Sequence, residues 1–138
     1  MKKLFFIALL FSCFNVFAQN PFEFKVTKHD FGKIKQNVPA SFTFKFVNTS
    51  EKPLIIESAI AGCGCTTPEY PKQPISKGKE GSIKVTYNAA SMGVFTKDVT
   101  VKFANMETPI ILNIVGEVIE AKVAPVKRSQ KQLQLKKD

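Results

Sequence analysis

Apolar and polar residues alternate with a period of two over several segments in the middle of the chain. The alternation is clearest at residues 42–46, 83–87 and 99–103. Because successive side chains of a β-strand point to opposite faces, each segment predicts a strand with one buried face and one solvated face. The further predicted strands are residues 22–28, 54–60, 109–118 and a short lead-in at 93–97.

Turn-forming residues separate these segments. They lie at residues 30–32, 37–39, 48–50, 71–74, 77–79 and 105–106. No apolar residues recur at spacings of three and four over the length of a helix, so no helix is predicted. About seven short strands within about 100 residues predict an all-β fold, an immunoglobulin-like antiparallel β-sandwich.

The sequence also limits which immunoglobulin-like domain this is. It contains no Trp, and no two cysteines are spaced about a strand pair apart. An antibody-type domain has a core Trp that packs against an inter-sheet disulfide. We therefore expect a sandwich without that disulfide.

Residues 1–18 have the pattern of an export signal. Lys2 and Lys3 precede an apolar run at 4–11, and Val16-Phe17-Ala18 provides a small-x-small cleavage site, so the mature chain is expected to start at Gln19. The run is shorter than the roughly 20 residues of a spanning helix. We expect an exported protein, periplasmic or extracellular. The alternative is a lipoprotein anchored at Cys13, although the bulky Phe11 fits that cleavage site poorly.

The net charge of +9 is concentrated near the C-terminus. Residues 19–120, the predicted domain, hold twelve lysines and ten acidic residues, whereas 121–138 hold six basic residues and one acidic residue. This segment has few large apolar groups and is predicted to be a flexible basic tail. It has the charge for weak contact with an anionic surface. Nucleic acid is not an expected partner, because the chain is exported and no aromatic–basic motif is present.

Several motifs together resemble one bacterial family. They are His-Asp-Phe-Gly-Lys-Ile at 29–34, Phe-Lys-Phe-Val-Asn at 44–48, Gly-Cys-Gly-Cys-Thr-Thr-Pro at 62–68 and Ile-Lys-Val-Thr-Tyr-Asn at 83–88. In this order they resemble the family called domain of unknown function 1573, over roughly residues 24–118. The resemblance implies an immunoglobulin-like sandwich, similar to major sperm protein and cilia-associated domains, in exported proteins common among Bacteroidetes. It implies no activity.

The chemistry of Cys63 and Cys65 has several solutions. In an extended strand both side chains point to one face, where two sulfurs could bind one soft ion. If Gly64 bends the chain, the pair can instead form a local disulfide, either structural or active in exchange. Buried free thiols are the remaining alternative. The sequence leaves these alternatives open.

A metal site needs further ligands, and the chain has few. His29 is the only histidine, and Met92 and Met106 lie in predicted loops. Cys63 and Cys65 with His29 or Met92 would suit copper or zinc. The structural interpretation of His29 is a residue at the start of a strand, bonded to the backbone.

Catalytic motifs are not apparent. A cysteine nucleophile needs a nearby base, and no Ser-His-Asp set, phosphate loop or paired carboxylate motif is present. We expect no enzyme activity; thiol–disulfide exchange is the only enzyme class that the sequence supports.

The leading hypothesis is a non-catalytic binding or scaffolding module that contacts a protein partner in the cell envelope. Sandwich sheets have exposed edge strands that accept a partner strand. Tyr70, among the prolines of 68–74, is a candidate contact residue, because a stiff loop presents its ring with little loss of entropy. The alternatives are a copper or zinc protein and a thiol–disulfide exchange protein. The sequence sets no oligomeric state.

Overall fold

The computed structural model describes residues 21–121, which form eight β-strands and no helix. The strands are β1 (Phe22–Phe24), β2 (Lys28–Lys35), β3 (Ala40–Asn48), β4 (Ile56–Ala61), β5 (Thr66–Glu69), β6 (Glu80–Tyr87), β7 (Gly93–Phe103) and β8 (Ile110–Ile119). Within this part of the chain, no helix long and apolar enough to cross a membrane is found. The predicted signal, Cys13 and nearly all of the predicted tail lie outside the described residues.

The strands form two four-stranded sheets. Sheet A has the order β1-β3-β6-β5 and is antiparallel throughout, while sheet B has the order β2-β8-β7-β4. In sheet B only the β2–β8 pair is parallel. The prediction of an immunoglobulin-like β-sandwich is confirmed, with one strand more than the seven expected.

The core lies between the two sheets and is built from the alternating positions of the strands. Phe44, Phe46, Ile83 and Val85 of sheet A face Val99, Val101, Phe103, Leu112 and Ile114 of sheet B, all fully or nearly fully buried. Full burial of such a side chain contributes roughly 1.5–3 kcal/mol. The ring of Phe22 stacks on that of Phe103, with centroids 4.5 Å apart. The period-two segments of the sequence therefore provide most of the core.

The start of the domain differs from the sequence prediction. A single strand over 22–28 is wrong, because β1 ends at Phe24 and the chain crosses to the other sheet before β2 begins. The predicted turn at 30–32 lies inside β2, where the register shifts between Asp30 and Lys33. β1 pairs with β3 and β2 pairs with β8, and both partners are distant in sequence. The crossing therefore depends on tertiary pairing.

Gly32 and Gly116 allow the irregular β2 to pack on β8. Gly32 has a φ of 62°, the left-handed region that most side chains avoid. A Cβ atom on Gly116 would lie 2.9 Å from the carbonyl oxygen of Gly32 and 2.8 Å from Cζ of Phe95. Only a glycine at position 116 fits this approach of the two strands.

Two other strands also differ from their predictions. β5 was not predicted, because Thr-Thr-Pro-Glu contains a proline and no apolar alternation. The lead-in at 93–97 and the strand that follows it form one continuous strand, β7, paired with β8 over nearly all of its length.

Buried Asn48 organises the turn after β3. Its Nδ2 donates hydrogen bonds to the carbonyls of Lys52 and Ile75, each at 2.8 Å. Its Oδ1 accepts hydrogen bonds from the backbone N–H and the hydroxyl of Ser50. A buried amide is tolerated because its polar atoms are satisfied in this way. These hydrogen bonds thus fix the predicted turn at 48–50, where β3 ends.

Candidate functional site

The Cys63–Cys65 loop connects sheet B to sheet A. It follows β4 and leads into β5, and the two sulfurs are joined in a disulfide. The Cα atoms are 5.3 Å apart, within the usual range of disulfides. Both cysteines are half-buried. Of the alternatives that the sequence leaves open, the structure contains the local disulfide.

Hydrogen bonds hold this loop against its neighbours. The N–H of Asn88 donates to the carbonyl of Cys65 at 3.0 Å, and that of Thr66 donates to the carbonyl of Cys63 at 3.3 Å. The hydroxyl of buried Thr66 lies 3.7 Å and 3.8 Å from the two sulfurs, within reach of either acceptor. The disulfide therefore sits in an ordered turn tied to the end of β6.

His29 lies far from the two cysteines. It is in register with Ile114 of β8, which is in register with Lys97 of β7, and β4 lies beyond β7. Three strand spacings separate β2 from β4, about 14 Å. No group of three His, Cys, Asp or Glu side chains able to hold a metal occurs within residues 21–121. The structure does not bring Cys63, Cys65 and His29 together.

His29 is packed against aromatic rings, whereas Met92 is exposed. The imidazole of His29 stacks on the Phe42 ring, with centroids 3.6 Å apart and planes 7° from parallel, and it meets the edge of Phe31. Met92 is 61% exposed in the connection between β6 and β7. His29 thus fills the gap between the sheets where β2 faces β3.

Tyr70 is half-buried and partly covered. Its ring packs against the core, and Nζ of Lys72 lies 3.7 Å from the ring centroid. Its hydroxyl donates a long hydrogen bond of 3.5 Å to the carbonyl of Glu57, the residue at the bulge of β4. The structure therefore places Tyr70 beside β4, as a side chain that covers one end of that strand.

β4 is an edge strand whose outer side pairs with no strand of the described residues. The N–H of Gly62 donates to Asp98 of β7, so backbone groups two and four residues earlier also face β7. The backbone N–H and C=O groups of Ala59 and Ala61 point away from β7, toward the open side of β4. Within residues 21–121, no backbone hydrogen bond of a turn or loop reaches them. Their N–H and C=O groups are therefore available to an incoming strand.

The other three edges are blunted. β1 is only three residues long. β2 is bulged and carries exposed Lys28, Lys33 and Lys35. In β5 the bond to Cys65 shows that Thr67 and Glu69 face β6, so the nitrogen of Pro68, which has no hydrogen, faces outward. Short length, lysines, bulges and prolines are the devices that prevent edge pairing.

β4 has neither a lysine nor a proline, and its sequence is Ile-Glu-Ser-Ala-Ile-Ala. Ile60 is 63% exposed on the outer face of sheet B. It is in register with Thr100, which is in register with Ile111, itself 49% exposed. An apolar row thus begins at the open edge and runs across the sheet. We call residues 58–62 and this row the β4 edge site.

Sequence reasoning did not single out Ala59, Ile60 or Ala61. It placed a strand at 54–60 without assigning it a position in a sheet. The signal that was available is compositional: among the edge strands of at least six residues, only β4 lacks lysine.

The charges of sheet A lie on its outer face, away from the β4 edge site. Lys45 and Lys25 contact the carboxylate of Glu80 at 2.8 Å and 3.1 Å. The hydrogen bond from Lys45, followed by that from Lys25, holds the pKa of Glu80 below its ordinary value. These contacts join β1, β3 and β6 at the surface.

The geometry defines a class of protein, an immunoglobulin-like β-sandwich with a local disulfide beside one open sheet edge. The family model described as "Protein of unknown function (DUF1573)" matches residues 22–118. The chain therefore belongs to this family, and the resemblance inferred from the motifs is confirmed. No curated protein shows significant sequence similarity to the chain.

Solved structures share the fold. A protein of unknown function from Porphyromonas gingivalis W83 aligns with a TM-score of 0.61 and 14% identity, over 75% of this chain and 51% of that one. The chain thus spans about half the length of that protein. The ASH/PapD-like domain 7 of human CEP192 aligns with a TM-score of 0.61 and 10% identity, over 74% of this chain and 87% of that one. At such identities the likeness concerns the fold alone.

Vibrio cholerae VesB protease also contains a similar region, with a TM-score of 0.58 and 12% identity. The alignment covers 72% of this chain but only 32% of the protease chain. A similar sandwich is therefore one part of a larger protease chain, and the fold does not assign a function.

Proposed function

We propose that this protein is an exported, non-catalytic binding module of the cell envelope that takes an extended strand of another polypeptide on the β4 edge. The observation that carries this proposal is the contrast among the four sheet edges. Three are blunted, whereas β4 presents free backbone groups at Ala59 and Ala61 beside exposed Ile60. An unblunted apolar edge is a template for strand addition.

Backbone pairing would supply the affinity and the side chains the selectivity. Each added hydrogen bond contributes about 0.5–1.5 kcal/mol. On the outer face, exposed Ile60 favours an apolar side chain of the partner. On the inner face, Ala59 and Ala61 are half-buried and packed against the core, so they favour small apolar side chains of the partner. The expected partner segment is extended and apolar at alternate positions.

The surroundings of the reactive side chains support a non-catalytic role. The only imidazole is stacked on one aromatic ring and in edge contact with another, and both described cysteines are oxidised to a disulfide. Neither a free thiol nor an unencumbered base is available at the β4 edge site. Copper or zinc binding at Cys63 and Cys65 would first require reduction of this bond.

The disulfide itself favours a second candidate, thiol–disulfide exchange. The thiolate of a reductant would attack one sulfur, form a mixed disulfide with it and release the other as a thiolate. Replacing Cys63 and Cys65 by serine separates the candidates. Strand addition at β4 should persist in the folded double variant, whereas exchange with a thiol substrate should be lost.

Site-specific photo-crosslinking in an exporting bacterium tests the proposal. A photoreactive residue at position 60 should give an adduct with another polypeptide, and Ala59→Pro should abolish it by blocking the outward N–H. Exposed Thr43, on the outer face of sheet A, is the control position. The proposal fails if position 60 gives no adduct, or if its adducts persist with Ala59→Pro.

A further inference from the structure

We propose that the polypeptide added to β4 is a second copy of this chain, in a two-fold symmetric dimer whose β4 strands pair antiparallel about Ile60. This inference rests on the proposed function, since it needs the same open edge, and it names the partner. Symmetric pairing of a strand with itself requires a stretch that is accessible, self-complementary and free of like-charge contacts. The β4 edge meets each requirement.

The open stretch of β4 is short and is bounded at both ends. At one end, the hydroxyl of Tyr70 bonds to the carbonyl of Glu57 and covers the edge there. At the other end, the Cys63–Cys65 disulfide turns the chain away toward β5. The accessible residues are therefore 58–62, and their midpoint is Ile60. A two-fold axis at Ile60 uses the whole stretch.

The direction of the backbone groups of β4 also fits an axis at Ile60. In an antiparallel pair, residues with groups facing the partner must lie opposite each other. An axis at Ile60 places Ala59 of each copy opposite Ala61 of the other. These are the residues whose N–H and C=O groups face outward. Four main-chain hydrogen bonds can then form without any change in β4.

The side chains of β4 are complementary to themselves in the same register. In this register Ile60 faces Ile60 in a non-hydrogen-bonded pair, where side chains approach most closely. The two rows of Ile60, Thr100 and Ile111 then join into one row across six strands, three from each copy. Axes at Ala59 or Ala61 are also compatible with the backbone, but they place Ile60 opposite Ser58 or Gly62. The register at Ile60 alone pairs the most exposed apolar side chain of residues 58–62 with itself.

Charge is consistent with the same register. Glu57, the only charged residue of β4, would lie opposite position 63 of the other copy and not opposite another Glu57. Its carboxylate pairs with Lys102 of its own chain at 3.0 Å. No like charges meet at the axis. A five-residue strand contact buries a small area, so the dimer should be weak and in exchange with monomer.

Cysteine cross-linking tests the register. Two residues of a non-hydrogen-bonded pair have Cα atoms about 4.5 Å apart, which a disulfide spans. Ile60→Cys should therefore give a disulfide-linked dimer under mild oxidation of the protein purified from an exporting host. Ser58→Cys is the matched control on the same strand and face. Its two copies would lie about 13 Å apart, four residues along the strand, beyond reach of a disulfide.

The expected result is at least tenfold more cross-linked dimer from Ile60→Cys than from Ser58→Cys. Repeating both in the Cys63→Ser, Cys65→Ser background excludes exchange with the native disulfide. Equal cross-linking of the two variants would indicate random collision and would overturn the register. No cross-linking from either would overturn the dimer.

Sedimentation velocity of the unmodified protein provides the independent measurement. From about 1 to 500 µM, the range in which small interfaces associate, the weight-average mass should rise from monomer toward dimer. Ile60→Lys adds an edge lysine and should weaken association at least tenfold, with an unchanged circular dichroism spectrum. A monomer throughout this range contradicts the inference.

The outcomes separate the inference from the proposed function. If the unmodified protein is monomeric while position 60 gives an edge-dependent adduct with a different polypeptide, the dimer is wrong and strand addition stands. If position 60 gives no edge-dependent adduct and the protein is monomeric, both fail. If the adduct is twice the mass of the chain, the partner is the second copy.

Discussion

The two edges of sheet B belong to the same sheet and carry opposite surfaces. β2 is bulged and presents Lys28, Lys33 and Lys35, whereas β4 is smooth over residues 58–61 and presents alanine and isoleucine. Both edges have free backbone groups on one side. The difference shows that an edge is closed to pairing by its side chains and local geometry, and that this chain closes β2 and leaves β4 open.

The largest expected effect distinguishes the two sides of β4. Ile60→Pro removes an N–H that bonds to β7 inside the sandwich, and it should lower the free energy of unfolding by roughly 2–3 kcal/mol. Ala59→Pro removes an outward N–H and should cost less than about 1 kcal/mol by the same reasoning. Urea denaturation of both variants measures the difference. Equal losses of unfolding free energy in the two variants would show that the N–H of Ala59 does not point away from β7.

The second largest effect is expected at the other edge of sheet B, where β2 pairs with β8. Gly116→Ala places a Cβ against Phe95 and the carbonyl of Gly32, so it should push β2 from β8 and cost about 1–3 kcal/mol. Gly64→Ala is the matched control, because its Cβ would meet no atom within 4 Å. Thermal unfolding compares the two variants. If Gly116→Ala and the control had the same melting temperature, the close approach of β2 to β8 would not require a glycine at position 116.

The third effect concerns the disulfide that ends β4. Cys63→Ser with Cys65→Ser releases a very short loop, which in the chain-entropy model costs about 1–2 kcal/mol. Hydrogen exchange should become faster at residues 61–66 and stay unchanged in β2. The unmodified protein under reducing conditions should behave like the double variant. Uniformly faster exchange would show that the disulfide stabilises the whole domain and not the end of this edge.

The smallest effect lies on sheet A, remote from the β4 edge. The pKa of Glu80 is held below its ordinary value of 4.5, so its ion pairs stabilise the fold above pH 4.5, and this contribution is lost as pH falls through the lowered pKa. Glu80→Gln should therefore lower stability slightly near pH 6, and the difference should disappear in strong acid. High salt should also reduce it. A difference that grows toward low pH would contradict the assignment.

The sequence predicted those parts of the fold in which the buried face of a strand repeats every second residue. Residues 42–46 and 83–87 are examples, because burial of one face makes apolar and polar residues alternate in the local sequence. β5 has no such alternation, since Pro68 interrupts it. The crossing after Phe24 depends on which distant strands β1 and β2 pair with. The predicted turn at 30–32 corresponds to the shift of register within β2 and does not end the strand.

The candidate site was less predictable for the same reason. Whether a strand is central or at an edge is set by the order of strands in a sheet, which has no local signature in Ile-Glu-Ser-Ala-Ile-Ala. The state of Cys63 and Cys65 depended on the bend at Gly64, which the spacing allowed but did not require. His29 could be placed beside β3 only once β2 was known to pair with β8.

The parallel pairing of β2 with β8 has a mechanical consequence. β2 lies near the start of the domain and β8 at its end, and the strands run in the same direction. A force that pulls the two ends of the domain apart therefore acts along both strands in opposite senses. It loads the β2–β8 hydrogen bonds together, in shear, instead of opening them one after another. The domain should resist tension along its length better than an antiparallel pair pulled from adjacent ends.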